Sequence, residues 1–207
     1  MLSWLRTRHP IHPLEAEWRV PAEVILEAIS RSPDLSKRGV RGLIAEAYFD
    51  QMISAGIPGW LKDTPVGNHS FDCQLRRASQ TVRIQVKSQR RKSGKPMTAR
   101  EALRFLSDTK LVVETQKTRA GENNDGADTR PYRFTEFDIL AVSMEASTGD
   151  WTQFRYTVAR WLIPREGDSK VMLKFQPVSL VPDIDWTDRL LVAIDWFLSG
   201  ETKTIKP

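Results

Sequence analysis

Two short stretches of the chain carry side chains that could hold a divalent metal ion. Residues 69–75 (HSFDCQL) and residues 82–89 (VRIQVKSQ) both alternate apolar and polar side chains. Alternation with a period of two is typical of half-buried β-strands. If the two strands pair as neighbours, Asp72, Gln85 and Lys87 share one face of the sheet. A carboxylate, an amide oxygen and an ammonium gathered there would form a metal site with a cation beside it.

The same alternation assigns the opposite face of the two strands. It places three apolar residues of each strand toward a core: Phe71, Cys73, Leu75, Val82, Ile84 and Val86. Cys73 is the single cysteine of the chain, so an internal disulfide is excluded, and we interpret it as a small core residue rather than a nucleophile. One cysteine and three histidines also argue against a structural zinc site.

A predicted helix over residues 37–55, with Ser36 as its N-cap, precedes these strands. Its apolar positions recur at helical spacing: Val40, Leu43, Ile44, Ala47, Tyr48 and Met52. Glu46 lies in a largely apolar part of this helix. A carboxylate there is costly unless it is paired or bound to a metal. The alternative is an exposed Glu46 at the edge of the apolar stripe.

A cluster of cations follows the second strand. Residues 83–104 contain a single acid, Glu101. Besides Arg83 and Lys87, they carry six further cations: Arg90, Arg91, Lys92, Lys95, Arg100 and Arg104. The chain as a whole carries a formal net charge of +5. This distribution indicates contact with phosphate groups, and a solvated basic loop is the alternative.

The remaining patterns predict an α/β or α+β fold around a mixed sheet. Residues 1–19 have no clean period and are expected to be irregular, and residues 120–130 are expected to form a loop. Helices are predicted over 21–30, 99–107 (N-cap Thr98) and 187–198 (N-cap Asp185 or Thr187), and strands over 110–114, 137–142, 154–163 and 171–176. The run over 137–142 is nearly continuously apolar, as in a central strand.

A chain of 207 residues fits one domain with an appended part. We expect an N-terminal arm and helix over 1–35 and a single domain over 36–207, in which residues from about 145 onward form a C-terminal extension. No apolar run is long enough for a signal peptide or a membrane span, so the expectation is a cytoplasmic protein without a membrane partner.

The order of the candidate residues resembles the PD-(D/E)xK nuclease superfamily, over roughly residues 37–110. Asp72 stands where the family has its strand Asp, Gln85-Val86-Lys87 stands at the acid-x-Lys position, and Glu46 matches an upstream helical Glu. Gln in place of the acid is similar to Mrr-type enzymes. The resemblance implies a restriction-endonuclease-like mixed central sheet flanked by helices. It also implies a metal held by Asp72, Gln85, the Val86 carbonyl and Glu46, with Lys87 as a catalytic residue.

The resemblance further implies a Mg²⁺-dependent DNA endonuclease, of restriction, defence or DNA-processing type, in which Mn²⁺ could replace Mg²⁺. The implied partner is DNA, the implied assembly is a homodimer, and no organic cofactor is expected. Residues expected to contact DNA are Ser88, Gln89, Arg90, Arg91, Lys92, Lys95 and Arg100. Two features depart from the family pattern: Phe71, not Pro, precedes Asp72, and Gln85 is a neutral ligand.

Two other functions stay open at the level of the sequence. The chain could be a DNA-binding or assembly subunit that keeps the nuclease fold with weak or no catalysis, a hypothesis motivated by Gln85. It could also be an unrelated protein-interaction domain, motivated by the tryptophans of its C-terminal part: Trp151, Trp161, Trp186 and Trp196.

Overall fold

The computed structural model of the protein describes residues 12–63, 65, 67, 69–117 and 130–207. The chain divides into two compact units, Met1–Arg41 and Gly42–Pro207. The division predicted at residue 35 stays a prediction. Among the described residues, no helix combines the length and the apolar character needed to cross a membrane.

The first unit is helical where it is described. It contains α1 (Pro13–Trp18) and α2 (Ala22–Arg31), and α3 (Asp34–Ser54) begins in it and continues into the second unit. The structure begins α3 at Asp34, before the predicted N-cap Ser36. The prediction of α2 is confirmed to within a residue at each end.

The expectation of an irregular start is wrong for residues 13–18. His12 caps α1, because its Nδ1 accepts a hydrogen bond from the Leu14 N–H at 3.2 Å, and Pro13 occupies the first helical position. Proline suits that position, since the amide hydrogen it lacks would have no partner in the helix. Residues 1–11 lie outside the described part.

In the part of the second unit that the structure describes there are eleven strands, some of them only two residues long. In chain order they are β1 (Leu61–Asp63), β2 (Cys73–Arg77), β3 (Gln80–Ser88), β4 (Arg91–Lys92), β5 (Lys95–Pro96), β6 (Leu111–Glu114), β7 (Ile139–Ser143), β8 (Phe154–Val158), β9 (Pro164–Arg165), β10 (Asp168–Met172) and β11 (Phe175–Val178). Its shorter helices are α4 (Ala99–Ala102), α5 (Glu145–Thr148) and α6 (Leu190–Leu198).

A five-stranded sheet in the order β1-β2-β3-β7-β8 forms the centre of this unit. Strands β3 and β7 are parallel, and the other neighbours are antiparallel, so the sheet is mixed. The hairpin predicted from the two alternating stretches is confirmed as β2–β3, and β7 is the predicted buried central strand. The predicted α+β class, with a mixed central sheet and flanking helices, is confirmed.

Both faces of the central sheet are covered at its inner strands. On one face, Val82, Ile84 and Val86 of β3 pack in a core with residues of α3 and α6. On the other face, Leu140 and Val142 of β7 pack in a second core. The predicted alternation of β3 is confirmed for its apolar residues, and on its other face Arg83 and Lys87 are partly exposed, but the alternation fails at Gln85, which is buried.

Two consequences follow for individual residues near the end of the hairpin. Gln85, expected on an open polar face, is buried with 3% of its surface exposed. Phe71 packs against the second core rather than with Cys73 and Leu75. The alternation fails at Phe71 because residues 70–72 form a bend before β2 begins at Cys73.

Helix α3 turns a different face to the core from the one its apolar stripe predicts. Its buried residues are Ala45, Phe49 and Ile53, which recur every four residues. Leu43, predicted to be in the core, is 66% exposed, and Tyr48 is also exposed. The large aromatic ring of Phe49 sets the face, since it packs edge to face on Phe154 of the sheet at 5.5 Å.

The other predicted elements are confirmed in type and corrected in extent. The capping box of Thr98 and Glu101 is present, but α4 ends at Ala102. Helix α6 begins at Leu190, without a side-chain cap from Asp185 or Thr187. The predicted strand over 154–163 ends at Val158, and a 3₁₀ turn (Ala159–Trp161) follows it. Most of the predicted loop over 120–130 lies outside the described residues.

Candidate active site

The candidate site lies at the start of β2, next to the bend formed by residues 70–72. The Asp72 N–H donates to the Ile84 carbonyl at 3.0 Å, which continues the ladder one residue before β2 begins. Because Cys73 is opposite Ile84, this continuation places Asp72 beside Gln85. The hairpin therefore brings together two of the residues selected from the sequence.

One oxygen of Asp72 accepts two hydrogen bonds from β3. The Val86 N–H donates to Asp72 Oδ2 at 2.7 Å, and Gln85 Nε2 donates to the same oxygen. Gln85 Nε2 also donates to the Val86 carbonyl oxygen at 3.1 Å. The amide group thus bridges a carboxylate oxygen and a main-chain oxygen that the resemblance assigns to a metal ion.

This arrangement fits a cation at the site. A metal ion and an amide NH₂ can both interact with oxygen lone pairs. The NH₂ of Gln85 therefore occupies a position between two oxygens where a cation would also be stabilised. Rotation of the amide by half a turn would direct Gln85 Oε1 at Asp72 and Val86. That orientation would place three oxygens together and would be favourable only with a cation between them.

A cleft of about 410 Å³ opens beside Asp72. Helix α3 forms one wall, and its Glu46 is half-buried there, one position after the core residue Ala45. Glu46, Asp72 and Val86 all line the cleft, together with Leu43, Ala47, Phe49, Asp50 and Cys73. The structure therefore brings the helical carboxylate to the hairpin, as the resemblance implies.

The two carboxylates of the cleft are electrostatically strained. Desolvation raises the pKa of Glu46, and the negative charge of Asp72 raises it further. Desolvation also raises the pKa of Asp72, although hydrogen bonds from Val86 and Gln85 and the charge of Lys87 act in the opposite direction. Asp72 as a whole residue is exposed, but its Oδ2 atom lies against β3. A cation between the two carboxylates would relieve this repulsion.

Lys87 is half-buried two residues beyond Gln85 on β3. Burial lowers its pKa, and the carboxylates of Asp72, Glu46 and Glu114 act in the opposite direction. Its Nζ lies over the ring of Tyr132, 5.2 Å from the ring centroid. Tyr132 was not selected from the sequence, because it follows a loop-like stretch and belongs to no periodic pattern.

The donor set suits a hard cation with oxygen ligands. No cluster of three or more His, Cys, Asp or Glu residues that could hold a metal occurs within the described ranges. The cleft instead offers the carboxylates of Glu46 and Asp72 together with Val86, and the Gln85 amide is hydrogen-bonded behind them. Such a mixed oxygen set, completed by water, is typical of Mg²⁺ rather than of Zn²⁺.

The residues expected to contact DNA differ in their surroundings. Four of their cations form ion pairs: Arg90 with Glu114 at 3.2 Å, Arg91 with Glu145 at 2.6 Å, Lys92 with Glu101 at 3.4 Å and Arg100 with Asp108 at 3.5 Å. Gln89 is buried and accepts a hydrogen bond from Ser147 at 2.7 Å. Ser88 is half-buried, and Lys95 is exposed. These ion pairs could not be predicted from the basic run alone, since three of the four partners are distant along the chain or outside the run.

Other side chains of the second unit that could take part in chemistry have structural partners instead. Asp138 pairs with Arg83 at 2.7 Å, and Glu114 lies between two cations. The His69 ring stacks on Phe71 at 5.0 Å. Trp161 and Trp186 are fully buried, so they are core residues rather than an exposed interaction surface.

Comparison with known proteins gives one distant likeness to report. No protein-family model matches the chain, and no curated protein matches it. Among solved structures, it is similar to a bacterial homing endonuclease, I-Ssp6803I, at 16% identity and a TM-score of 0.40, over 76% of this chain and 87% of that one. A likeness at this level is too distant to assign a function, so function has to be inferred from the geometry of the cleft.

Proposed function

We propose that this protein is a metal-dependent DNA endonuclease of the PD-(D/E)xK type. The observation that supports the proposal is that Glu46, Asp72 and Val86 line one cleft. Gln85 is hydrogen-bonded to Asp72 and to the Val86 carbonyl, and Lys87 interacts electrostatically with both carboxylates. These residues come from a helix and two paired strands. A half-exposed polar sheet face would not require a helical carboxylate to face the same strand ends.

The roles of the residues follow from their chemistry. Asp72, Glu46, the Gln85 amide oxygen and the Val86 carbonyl would hold Mg²⁺, or Mn²⁺ in its place. Such an ion, when bound, supplies polarisation of a phosphate oxygen and lowers the pKa of a bound water. The Lys87 ammonium would orient the attacking water and stabilise the negative charge that develops on the phosphate.

Lys87 is assigned an electrostatic role rather than that of a general base. Burial lowers its pKa, but the carboxylates of Asp72 and Glu46 favour its charged form. A charged ammonium beside the reacting phosphate contributes most when it is present before the transition state forms. The net reaction is addition of water to phosphorus and cleavage of one P–O ester bond.

A cleavage assay tests this function. Varied plasmids and branched or modified DNAs are incubated with Mg²⁺, with Mn²⁺ and with a chelator. We expect cleavage with either metal, none with the chelator, and a loss of at least about a hundredfold in Lys87→Ala, because an electrostatic contact to the transition state is removed. Lys206→Ala, at an exposed lysine near the C-terminus, is the control. Intact DNA under all conditions, or equal cutting by Lys87→Ala, would contradict the proposal.

The second candidate function is DNA binding without cleavage. Its support is that the Gln85 NH₂ already satisfies Asp72 and the Val86 carbonyl, so that the site is internally neutralised. Titration calorimetry with Mg²⁺ separates the two functions. Metal binding that Asp72→Ala abolishes favours the nuclease, whereas salt-dependent DNA binding with no metal uptake favours the binding protein.

A homodimer is the assembly that suits a nuclease with one cleft in each chain. Two copies related by a two-fold axis would present two clefts to the two antiparallel strands of a duplex. Sedimentation with and without DNA tests this assembly. Double-strand cleavage by a protein that stays a monomer on DNA would argue against it.

A further inference from the structure

The Lys87 ammonium lies over the aromatic ring of Tyr132. Tyr132 is buried, with 4% of its surface exposed. Lys87 Nζ lies 5.2 Å from its ring centroid, within the distance at which a cation is attracted to an aromatic face. Lys117 Nζ also lies over this ring, at 5.5 Å.

The position of the Tyr132 ring is set by its surroundings. Phe137 packs against it edge to face, with centroids 5.2 Å apart and planes at 86°. The Met172 N–H donates to the Tyr132 carbonyl at 2.9 Å, which ties the main chain to β10. A ring held by packing and by main-chain bonding gives a flexible side chain a stable surface on which to rest.

Lys87 needs such a surface. Within the described ranges, its ammonium forms no ion pair within 4.0 Å and no hydrogen bond to a side chain or carbonyl. Asp72, Glu46 and Glu114 act on it only at longer range. A lysine stem has four rotatable bonds, so an ammonium without a direct contact would sample many positions.

Two cations at one ring would repel each other if neither were neutralised. Lys117 forms an ion pair with Glu136 at 2.5 Å, so its charge is compensated. Among the described residues, Lys87 is therefore the cation at this ring that has no ion pair, and Asp72 and Glu46 act on it at longer range. This assigns different roles to the two lysines: Lys117 is a structural contact, and Lys87 is available to a substrate.

We propose that Tyr132 is the positioning residue for Lys87, holding its ammonium by a cation–π contact at the edge of the cleft. The proposal deepens the nuclease function proposed above and rests on it for its meaning in catalysis. The contact itself can be tested in the free protein, so its failure is distinguishable from failure of the nuclease function.

The first test is the position of Lys87, measured by NMR in the absence of DNA and metal. Protons above an aromatic face are shifted upfield by its ring current, so the Lys87 ε-methylene protons should be upfield of ordinary lysines. Lys87→Arg identifies the signal by its loss. The shift should persist in Tyr132→Phe, which keeps the ring, and vanish in Tyr132→Leu. An unshifted Lys87 in the wild type overturns the proposal.

A matched control separates positioning from general loss of packing. Trp196→Leu removes a ring that packs against the same core cluster, and the ring contact of Trp196 is with Trp161 rather than with Tyr132. This variant should leave the Lys87 signal upfield. If Trp196→Leu and Tyr132→Leu abolish the shift equally, Tyr132 acts only through packing, and the proposal fails.

The second test is catalysis. Tyr132→Leu should lower kcat by about two- to thirtyfold, the range that corresponds to a cation–π contact, with KM little changed. Tyr132→Phe should restore kcat to near the wild-type value. If Tyr132→Leu does not fold, pentafluorophenylalanine at position 132 replaces it, because this residue keeps the ring shape and reverses the charge distribution of its face. Equal kcat values for phenylalanine and pentafluorophenylalanine at position 132 would overturn the proposal.

Discussion

At the scale of single residues, the proposed metal site and the fold make competing demands on Gln85. Its NH₂ bridges Asp72 Oδ2 and the Val86 carbonyl, so the folded chain satisfies these oxygens by itself. In the proposed function, a metal ion would have to displace that amide group or rotate it. We therefore expect a site that is stable without metal and that binds it weakly.

Gln85→Glu should make the thermal stability of the protein depend on metal. A second carboxylate beside Asp72 removes two hydrogen bonds and adds like-charge repulsion, so the metal-free protein should have a lower Tm. Mg²⁺ should restore the Tm and should bind at least about tenfold more tightly, because one ligand gains a charge. Thermal unfolding and calorimetry measure both effects.

Gln74→Glu is the control for this substitution. Gln74 is on the same hairpin, and its Nε2 donates to Asp63 of β1 at 2.9 Å. Gln74 does not line the cleft. It should lower the Tm by a similar repulsion, with little recovery on addition of Mg²⁺. Equal recovery in the two variants would show that Mg²⁺ acts on any carboxylate pair rather than on the cleft.

Glu46 should reduce the stability of the fold in a pH-dependent way. Its pKa is raised in the folded state by desolvation and by Asp72, so ionisation at neutral pH costs stability. The cost is absent below the pKa of the unfolded chain and complete above the folded pKa. Glu46→Gln should therefore raise the Tm at pH 7, by an amount that fades as the pH falls toward about 4. Thermal unfolding across this range checks it.

The control for Glu46 is Glu166→Gln, at an exposed carboxylate. Its Tm should follow the wild type at every pH. A lower Tm for Glu46→Gln at pH 7 would contradict this prediction. It would mean that the Glu46 carboxylate stabilises the metal-free fold instead of destabilising it. The same variant should also lose metal binding, since an amide replaces a charged ligand.

At the scale of elements, the hairpin was predictable and its surroundings were not. Alternation in β2 and β3 gave the pairing, and the apolar run of β7 gave the central strand. The sequence did not indicate that Gln85, on the polar side of β3, is buried, because the second core beside it is built from segments far along the chain. Alternation predicts which residues share a face of a strand, but tertiary packing decides whether a polar residue on that face is buried.

The same limit applies to helix α3. Its apolar residues allow more than one buried face, and the helix presents Ala45 and Phe49 rather than Leu43. The choice depends on a ring in β8, which a local pattern cannot include. The resemblance placed Glu46 in the site through its order in the chain, whereas Tyr132 was missed because its partner, Lys87, is distant in sequence.

The junction between β3 and β7 should depend on the Asp138 carboxylate. It accepts the Arg83 N–H at 2.8 Å and pairs with the Arg83 guanidinium at 2.7 Å, with 11% of its side chain exposed. Asp138→Asn keeps the shape but weakens charge-assisted bonds, so the free energy of unfolding should fall by about 1–3 kcal/mol. Urea unfolding measures the change.

Asp168→Asn provides the matched comparison for that junction. Asp168 pairs with Arg165 at 3.6 Å on the surface, where both side chains are well exposed. Such a pair contributes little, so the variant should stay within about 0.5 kcal/mol of the wild type. A loss at Asp168 as large as that at Asp138 would mean that burial does not govern these ion pairs.

At the scale of the whole molecule, the basic segment presents less free charge than its composition suggests. Arg91, Lys92 and Arg100 each have a carboxylate partner. Lys95, the first residue of β5, is exposed. DNA phosphates would have to compete with Glu145, Glu101 and Asp108 for the paired cations, which weakens those contacts.

Lys95→Ala should therefore lower DNA affinity through a lost phosphate contact. The slope of log affinity against log salt should become shallower by about one, as expected for one neutralised phosphate. Binding titrations at several salt concentrations measure this slope. Lys206→Ala, exposed near the C-terminus, should leave it unchanged. An unchanged slope in Lys95→Ala would place the DNA on another surface.

The position of Cys73 has a practical consequence for following this molecule in solution. It is the single cysteine, it is buried, and it lines the cleft next to Asp72. Burial raises the pKa of its thiol to about 11, so an alkylating reagent at neutral pH meets almost no thiolate. The rate of alkylation of the unmodified chain therefore reports how often Cys73 becomes exposed, and any ligand that fills the cleft should lower that rate.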